Sequence, residues 1–294
     1  MAIGTFDNLV IDRVVDGWFE SKSTGKVLAV LDQISNFSIN TTSETKDKTD
    51  AQGALLKRYF TSKSVEVSGE NATFSLNLFA TQSGVTKETG TNVIMPRIYL
   101  ATVPEKVGGV ATITLPDNPE DGTFKLYGTS ANGNVDIDTQ YLPAAEGSTT
   151  PGANTYVISS STTEGVTTTT LGLPTNLNTG DQVQIKYERK ISNDAIKAAR
   201  VDVKGDQFPK ECKATFRVLC SDLCNSEEVL ALYIVFEKFQ MSPDFDWTVD
   251  TESTQGFSAT CYRDYCGKGQ TLYYIAIAED TDEYDTKQWA QDVI

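Results

Sequence analysis

Residues 230–279 constrain the fold of this chain more than any other stretch. They read LALYIVFEKF, then MSPDFDWTVD, then TQGFSATCYRDYCGKGQ and TLYYIAIAE. β-Branched and aromatic residues crowd each block, and a Ser-Pro-Asp turn and Gly-containing turns divide them, which is the make-up of an antiparallel meander. The expected fold class is therefore mainly β. No catalytic constellation lies in or near the stretch.

The rest of the sequence narrows the chemistry. The 294 residues contain no histidine, which removes the commonest general base, the commonest zinc ligand and every Ser/His or Cys/His nucleophile pair. We therefore expect no enzyme. The formal charge of -15 opposes nonspecific binding to nucleic acid or acidic membranes, because a negative surface repels phosphate. It is compatible with a surface that DNA slides past. The N-terminal MAIGTFDNLVIDRVVDGW lacks the basic and apolar regions of a secretory signal, and no apolar run approaches a membrane span. The expectation is a protein made and kept in the cytosol, or assembled there into something larger, with no membrane partner.

All five cysteines fall late, at Cys212, Cys220, Cys224, Cys261 and Cys266. Cys220 with Cys224 and Cys261 with Cys266 could close a four-thiolate zinc site if two hairpin ends met. Those spacings are loose, so free thiols are the simpler reading and no cofactor is expected.

Along the chain, residues 26–31 form a strand by composition and residues 34–39 alternate with period two, so a hairpin between them is the natural expectation. The pattern then breaks over residues 40–63, NTTSETKDKTDAQGALLKRYFTSK, a polar, charged, turn-rich stretch with one candidate helical turn at 54–58. A loop of that length is either mobile or an ordered interaction element. Residues 72–78 resume a strand pattern, yet SLNLFATQSG also reads as a short helix, with Ser75 as N-cap and Gly84 as the stop. Residues 93–102 are a further strand candidate.

From about 104 to 190 hydrophobic residues thin out. Short strands at 111–115, 123–127, 155–159 and 182–187 alternate with PDNPEDG, PAAEGSTTPGAN and NLNTGD, at the roughly ten-residue spacing of a small β-sandwich or an elaborated insertion. A turn is expected near Ala195, a strand at 212–220, an acidic turn at 226–228, and a C-terminal tail whose Trp289 and Ile294 suggest docking. Trp18, Trp247 and the many tyrosines could stack sugars, which keeps a carbohydrate-binding β-module open. Strand packing is the favoured reading for these aromatics, since Phe245 and Trp247 alternate with polar neighbours. By the same alternation Asp244 and Asp246 share one exposed strand face, where solvated charge is the ordinary reading and a glycosidase pair the sharper one.

Several of these segments together resemble the tail tube proteins of long-tailed bacteriophages, a fold shared with the tube protein of type VI secretion. The resemblance is carried by residues 34–39 with the polar stretch and YFTSKSVEVSGENATFSLNLFATQSG, by residues 232–241 followed by SPDFDWTVD, and by GFSATCYRDYCGKGQTLYYIAIAED. It implies a tail-tube-like β-sandwich or barrel with one short helix, its first half in residues 1–103 and its second in 200–294. The unmatched residues 104–199 would be an inserted small β-sandwich-like domain, decorating the tube.

The resemblance further implies a virion structural protein located in the tail, a subunit of a hexameric ring that stacks on copies of itself around a channel for genome ejection. Viral DNA would pass without specific binding. A tail sheath, a tape-measure protein and baseplate or terminator proteins are further candidate partners, and capsid decoration or head-tail joining is the alternative virion role. The polar stretch becomes the ring-stacking loop, with Thr45, Lys46, Asp47, Lys48, Asp50, Leu55 and Arg58 as its contact residues.

Overall fold

The computed structural model describes residues 8–130, 134–163, 166–191, 196–223, 225–250, 253–263 and 271–277. The chain divides into two compact units, Met1–Lys87 with Val201–Ile294, and Glu88–Arg200. In chain order the first unit supplies β1 (Leu9–Ser21), β2 (Val27–Leu31), β3 (Ile34–Thr49), β4 (Leu55–Asn71) and the helix α1 (Leu76–Gln82). The second supplies β5 (Glu88–Thr89), β6 (Ile94–Thr102), β7 (Thr112–Thr114), β8 (Lys125–Thr129), β9 (Val135–Pro143), β10 (Thr155–Thr163), β11 (Val166–Gly172), β12 (Gln182–Lys190) and β13 (Ala199–Arg200). The first unit then resumes with β14 (Cys212–Asp222), β15 (Asn225–Met241), β16 (Gln255–Cys261) and β17 (Tyr274–Ile277). The protein is mainly β, as its β-branched and aromatic blocks require.

The first unit is one 8-stranded sheet in the order β2-β1-β14-β15-β16-β4-β3, with β17 also on β15. Burial alternates with period two along β14 and β16, so each strand turns one row of side chains inward. Those rows meet in a single cluster that takes Phe19 from β1, Leu31 from β2, Val67 from β4, Leu78 from α1, Phe216 from β14, Phe236 and Phe239 from β15 and Phe257 from β16. Strands from both ends of the order feed this one core, which requires the sheet to curl.

Four local expectations are corrected here. The hairpin expected between residues 26–31 and 34–39 does not form, because β2 pairs with β1 across the Gly25 turn while β3 pairs with β4. The C-terminal blocks are not a simple meander. β15 is long enough to hold two partners on one edge, with β17 against Leu232–Val235 and β16 against Phe239–Met241. Residues 242–250 form no strand beyond an isolated bridge from Trp247 to Gln255. Residues 226–228 are strand and not an acidic turn. Ala195, Ala278 and the tail with Trp289 and Ile294 lie outside the described residues.

The helical reading of residues 75–84 holds, and the strand reading of 72–78 does not. Ser75 Oγ accepts from Leu78 N at 3.3 Å, and Gly84 follows the last turn at φ +69. Buried amides seat the helix on β16. Gln255 Oε1 accepts from Ser75 N at 2.8 Å, Gln255 Nε2 donates to Gln82 Oε1 at 3.1 Å, and Gln82 Nε2 donates to the Gly256 carbonyl at 2.9 Å.

The second unit is a 7-stranded sheet in the order β6-β12-β8-β9-β10-β11-β7, together with the short pair β5 and β13. Its own core gathers Leu126, Tyr141, Tyr156, Leu171, Val183, Ile185 and Tyr187. At one end Asp117 accepts from both Arg97 and Arg189, a carboxylate shared between two guanidiniums.

Candidate functional site

The polar stretch expected to be a loop is a hairpin arm. The ladder between β4 and β16 ends at Val65, while β3 and β4 continue to pair with each other as far as Thr49 and Leu55. Every residue from 51 to 64 is exposed. Without an apolar face there is no period-two pattern to read, which is why the sequence looks like a loop.

Local polar contacts shape the arm. Asp50 Oδ1 accepts from Gln52 N at 2.9 Å and Ala54 N at 2.8 Å, and Asp50 N donates to the Ala54 carbonyl at 2.9 Å, so one carboxylate builds the tip. Lower down, the Thr42 and Ser64 hydroxyls meet at 2.7 Å and Ser62 Oγ donates to Glu44 at 3.1 Å.

Cross-strand register sorts the remaining side chains onto two faces. Thr45 opposes Phe60 and Asp47 opposes Arg58, and Arg58 donates to both Asp47 oxygens at 2.8 and 2.9 Å. The hydrogen bonds from Arg58 hold the Asp47 carboxyl below its ordinary range. On the other face Lys46 opposes Tyr59 and Lys48 opposes Lys57, whose Nζ sits 4.9 Å from the Tyr59 ring centre. One face is thus neutralised internally, and the other is basic with an aromatic at its centre. Leu55, Leu56 and Phe60 stand in water, Phe60 at 75% exposure. A two-stranded ribbon with both faces wet is marginal by itself, and exposed apolar side chains on free strand edges are what a protein partner covers. Thr45, Lys46, Asp47, Lys48, Asp50, Leu55 and Arg58 all lie on this arm.

A second surface was not legible in sequence. Phe74, Phe79 of α1, Phe245 and Trp247 pack as a group, with Phe74 and Trp247 centroids 5.0 Å apart and Phe79 edge-on to Phe245 at 5.5 Å. The outer members Phe74, Leu76, Trp247 and Val249 remain exposed. Phe245 also lines an adjoining groove of about 370 Å³ with Glu70, Asp244 and Asp246. Asp244 and Asp246 are therefore part of a groove wall, and Trp247 is held by ring contacts. Trp18 lies elsewhere on the sheet, opposite Val30 and Thr215.

The cysteines among the described residues behave as core residues. Cys212, Cys220 and Cys261 are buried free thiols, and Cys212 Sγ donates to the Phe239 carbonyl at 3.3 Å. Cys224 and Cys266 lie outside the described residues, and the described residues hold no group of three or more metal-ligating side chains. Burial pushes Cys212 and Cys261 up to about 12 from an ordinary 9.0. At pH 8 such a thiol is ionised in only about one molecule in ten thousand. Maleimide at pH 8 should therefore leave both unlabelled until urea is added, as read by peptide mass; rapid labelling of the folded protein would contradict their burial. The fold keeps these protons through the window from 9.0 to about 12, whereas the unfolded chain releases them, so their contribution makes stability fall as pH rises through it.

No helix among the described residues is long and apolar enough to cross a membrane. The sequence matches the YomU/Tube protein family over residues 9–275. No curated protein matches the chain.

Proposed function

The chain belongs to the YomU/Tube protein family, a phage tail tube family, and from that premise we propose that it is the ring-forming subunit of a tail tube, stacked through the arm of β3 and β4. Family membership makes it a tail-tube-like structural protein and a virion tail component. The finer reading rests on one observation: an arm of paired strands, exposed on both faces, that contributes nothing to the core of its own subunit.

Sheet edges that pair around a ring remove the hazard of open edges by closure. A heterologous contact between rings, repeated without closing, gives an open-ended tube. The arm supplies the protruding half of that contact, and the inserted domain, which as the unit Glu88–Arg200 begins earlier than the expected residue 104, is carried as a decoration. The acidic chain suits a channel that repels phosphate and lets DNA pass without gripping it.

Purified protein is expected to form rings or tubes in negative-stain micrographs and a large species in light scattering. Deleting residues 44–58 brings Ser43 next to Tyr59 and leaves Ser43 paired with Lys63, so Tyr59, Phe60, Thr61 and Ser62 can close a shorter hairpin. The deleted protein should unfold at the wild-type denaturant concentration yet form no tubes. Tubes from the deleted protein would refute the stacking role.

A further inference from the structure

The tip of the arm and its root carry opposite chemistry. Toward the tip, one face presents Lys46, Lys48 and Lys57 around Tyr59. At the root, Glu70 of β4 lines the groove with Asp244 and Asp246, next to the exposed rings of Phe74 and Trp247. Lysines face carboxylates, and an aromatic faces an aromatic shelf.

The two surfaces cannot meet within one chain. From Lys57 to Glu70, β4 is a continuous strand, and at about 3.3 Å per residue it holds the two roughly 40 Å apart. A bulge at Thr61 interrupts the ladder between them, but a continuous strand does not fold back on itself, so among the described residues the groove is left to the arm of a different copy.

We infer that the lysine face of the arm docks into the acidic groove and aromatic shelf of a second copy of this chain, the groove taking Lys46, Lys48 and Lys57 and the shelf taking Tyr59. The inference rests on the stacking role proposed for the arm and names the surface that receives it. Because tip and root lie on one hairpin, each copy that is received also offers its own arm onward. The contact is heterologous, and repeated between rings without closing it extends a filament. Single exposed ion pairs are weak, but copies held in a ring present many at once, so modest contacts act together.

Charge exchange tests the pairing. The full chain would be made with Asp244→Lys and Asp246→Lys, with Lys46→Asp and Lys57→Asp, and with all four changes together. Each set concerns exposed side chains, so circular dichroism and the urea midpoint should match wild type. Each double variant is expected to raise the protein concentration needed for tubes at least about tenfold, since like charges now face one another. The fourfold variant, with the charges exchanged, should regain tubes at near wild-type concentration. In wild type, added salt should weaken stacking.

Tubes formed by the Asp244 and Asp246 variant at wild-type concentration would overturn the groove as receptor, even where deletion of residues 44–58 still abolishes stacking. Failure of the fourfold variant to recover would overturn the pairing of these charges. Tubes that survive the arm deletion would instead remove the stacking role itself.

Discussion

Phe216→Ala is expected to cost the first unit about 3–5 kcal/mol, the range for truncating a fully buried aromatic. Phe216 is 0% exposed on β14, in the middle of the sheet between β1 and β15. Its ring stacks on Phe257 at 6.3 Å, meets Phe19 edge-on at 5.7 Å and Phe236 at 6.0 Å, and lies 4.6 Å from Phe37. Strands β1, β3, β15 and β16 all rest on this one side chain. Relaxation fills the void poorly, because Phe19, Phe236 and Phe257 around it are rigid rings carried on paired strands. Since small proteins are stable by only about 5–15 kcal/mol in total, the variant should unfold at a much lower urea concentration and assemble poorly. Phe37→Ala, at the half-buried edge of the same cluster, should cost clearly less. Equal midpoints for the two variants would mean that Phe216 is not the centre of the core.

The mainly-β class and the helix were legible because both leave local marks. Inward rows of apolar residues repeat every second position along β14 and β16, and Ser75 and Gly84 bracket α1 with a cap and a stop. Pairing order leaves no such mark. Nothing in residues 274–277 says that they join the middle of β15 and not β16, since either edge would satisfy the same backbone groups. The alternation of Phe245 and Trp247 suggested a strand, but their rings are spaced to pack on Phe74 and Phe79 instead.

The arm illustrates the opposite limit. Its residues stood out as one segment in the sequence, yet its structure was hidden, because a ribbon wet on both faces is free to place charge at every position. Only register shows that Lys46, Lys48, Tyr59 and Lys57 share a face. The groove was hidden for a different reason: Glu70 and Asp244 come from distant parts of the sequence, and β16 brings them together by pairing with β4.

Gly84→Ala should be the most damaging change available at a position outside the aromatic core. Gly84 has φ +69, where an L side chain costs about 1–2 kcal/mol. A Cβ there would also lie 2.2 Å from the Phe208 carbonyl oxygen and 2.3 Å from its carbon. Backbone cannot swing aside as a side chain would, and the neighbouring Pro209 carbonyl accepts from Gln240 Nε2 at 3.4 Å. Either α1 or the Phe208 segment must move, which adds an overpacking cost of about 1–3 kcal/mol. Gly25→Ala isolates the two contributions. Gly25 sits at φ +67 with nothing within 4 Å of its added Cβ, so it should show the conformational cost alone. The difference between the two urea stabilities then measures the contact with Phe208, and equal losses would show that this contact yields freely. Because Phe79 of α1 underlies Phe74 and Trp247, a displaced helix also tilts the shelf. Gly84→Ala should therefore lower tube formation beyond what its lost stability explains, whereas Gly25→Ala should leave assembly intact.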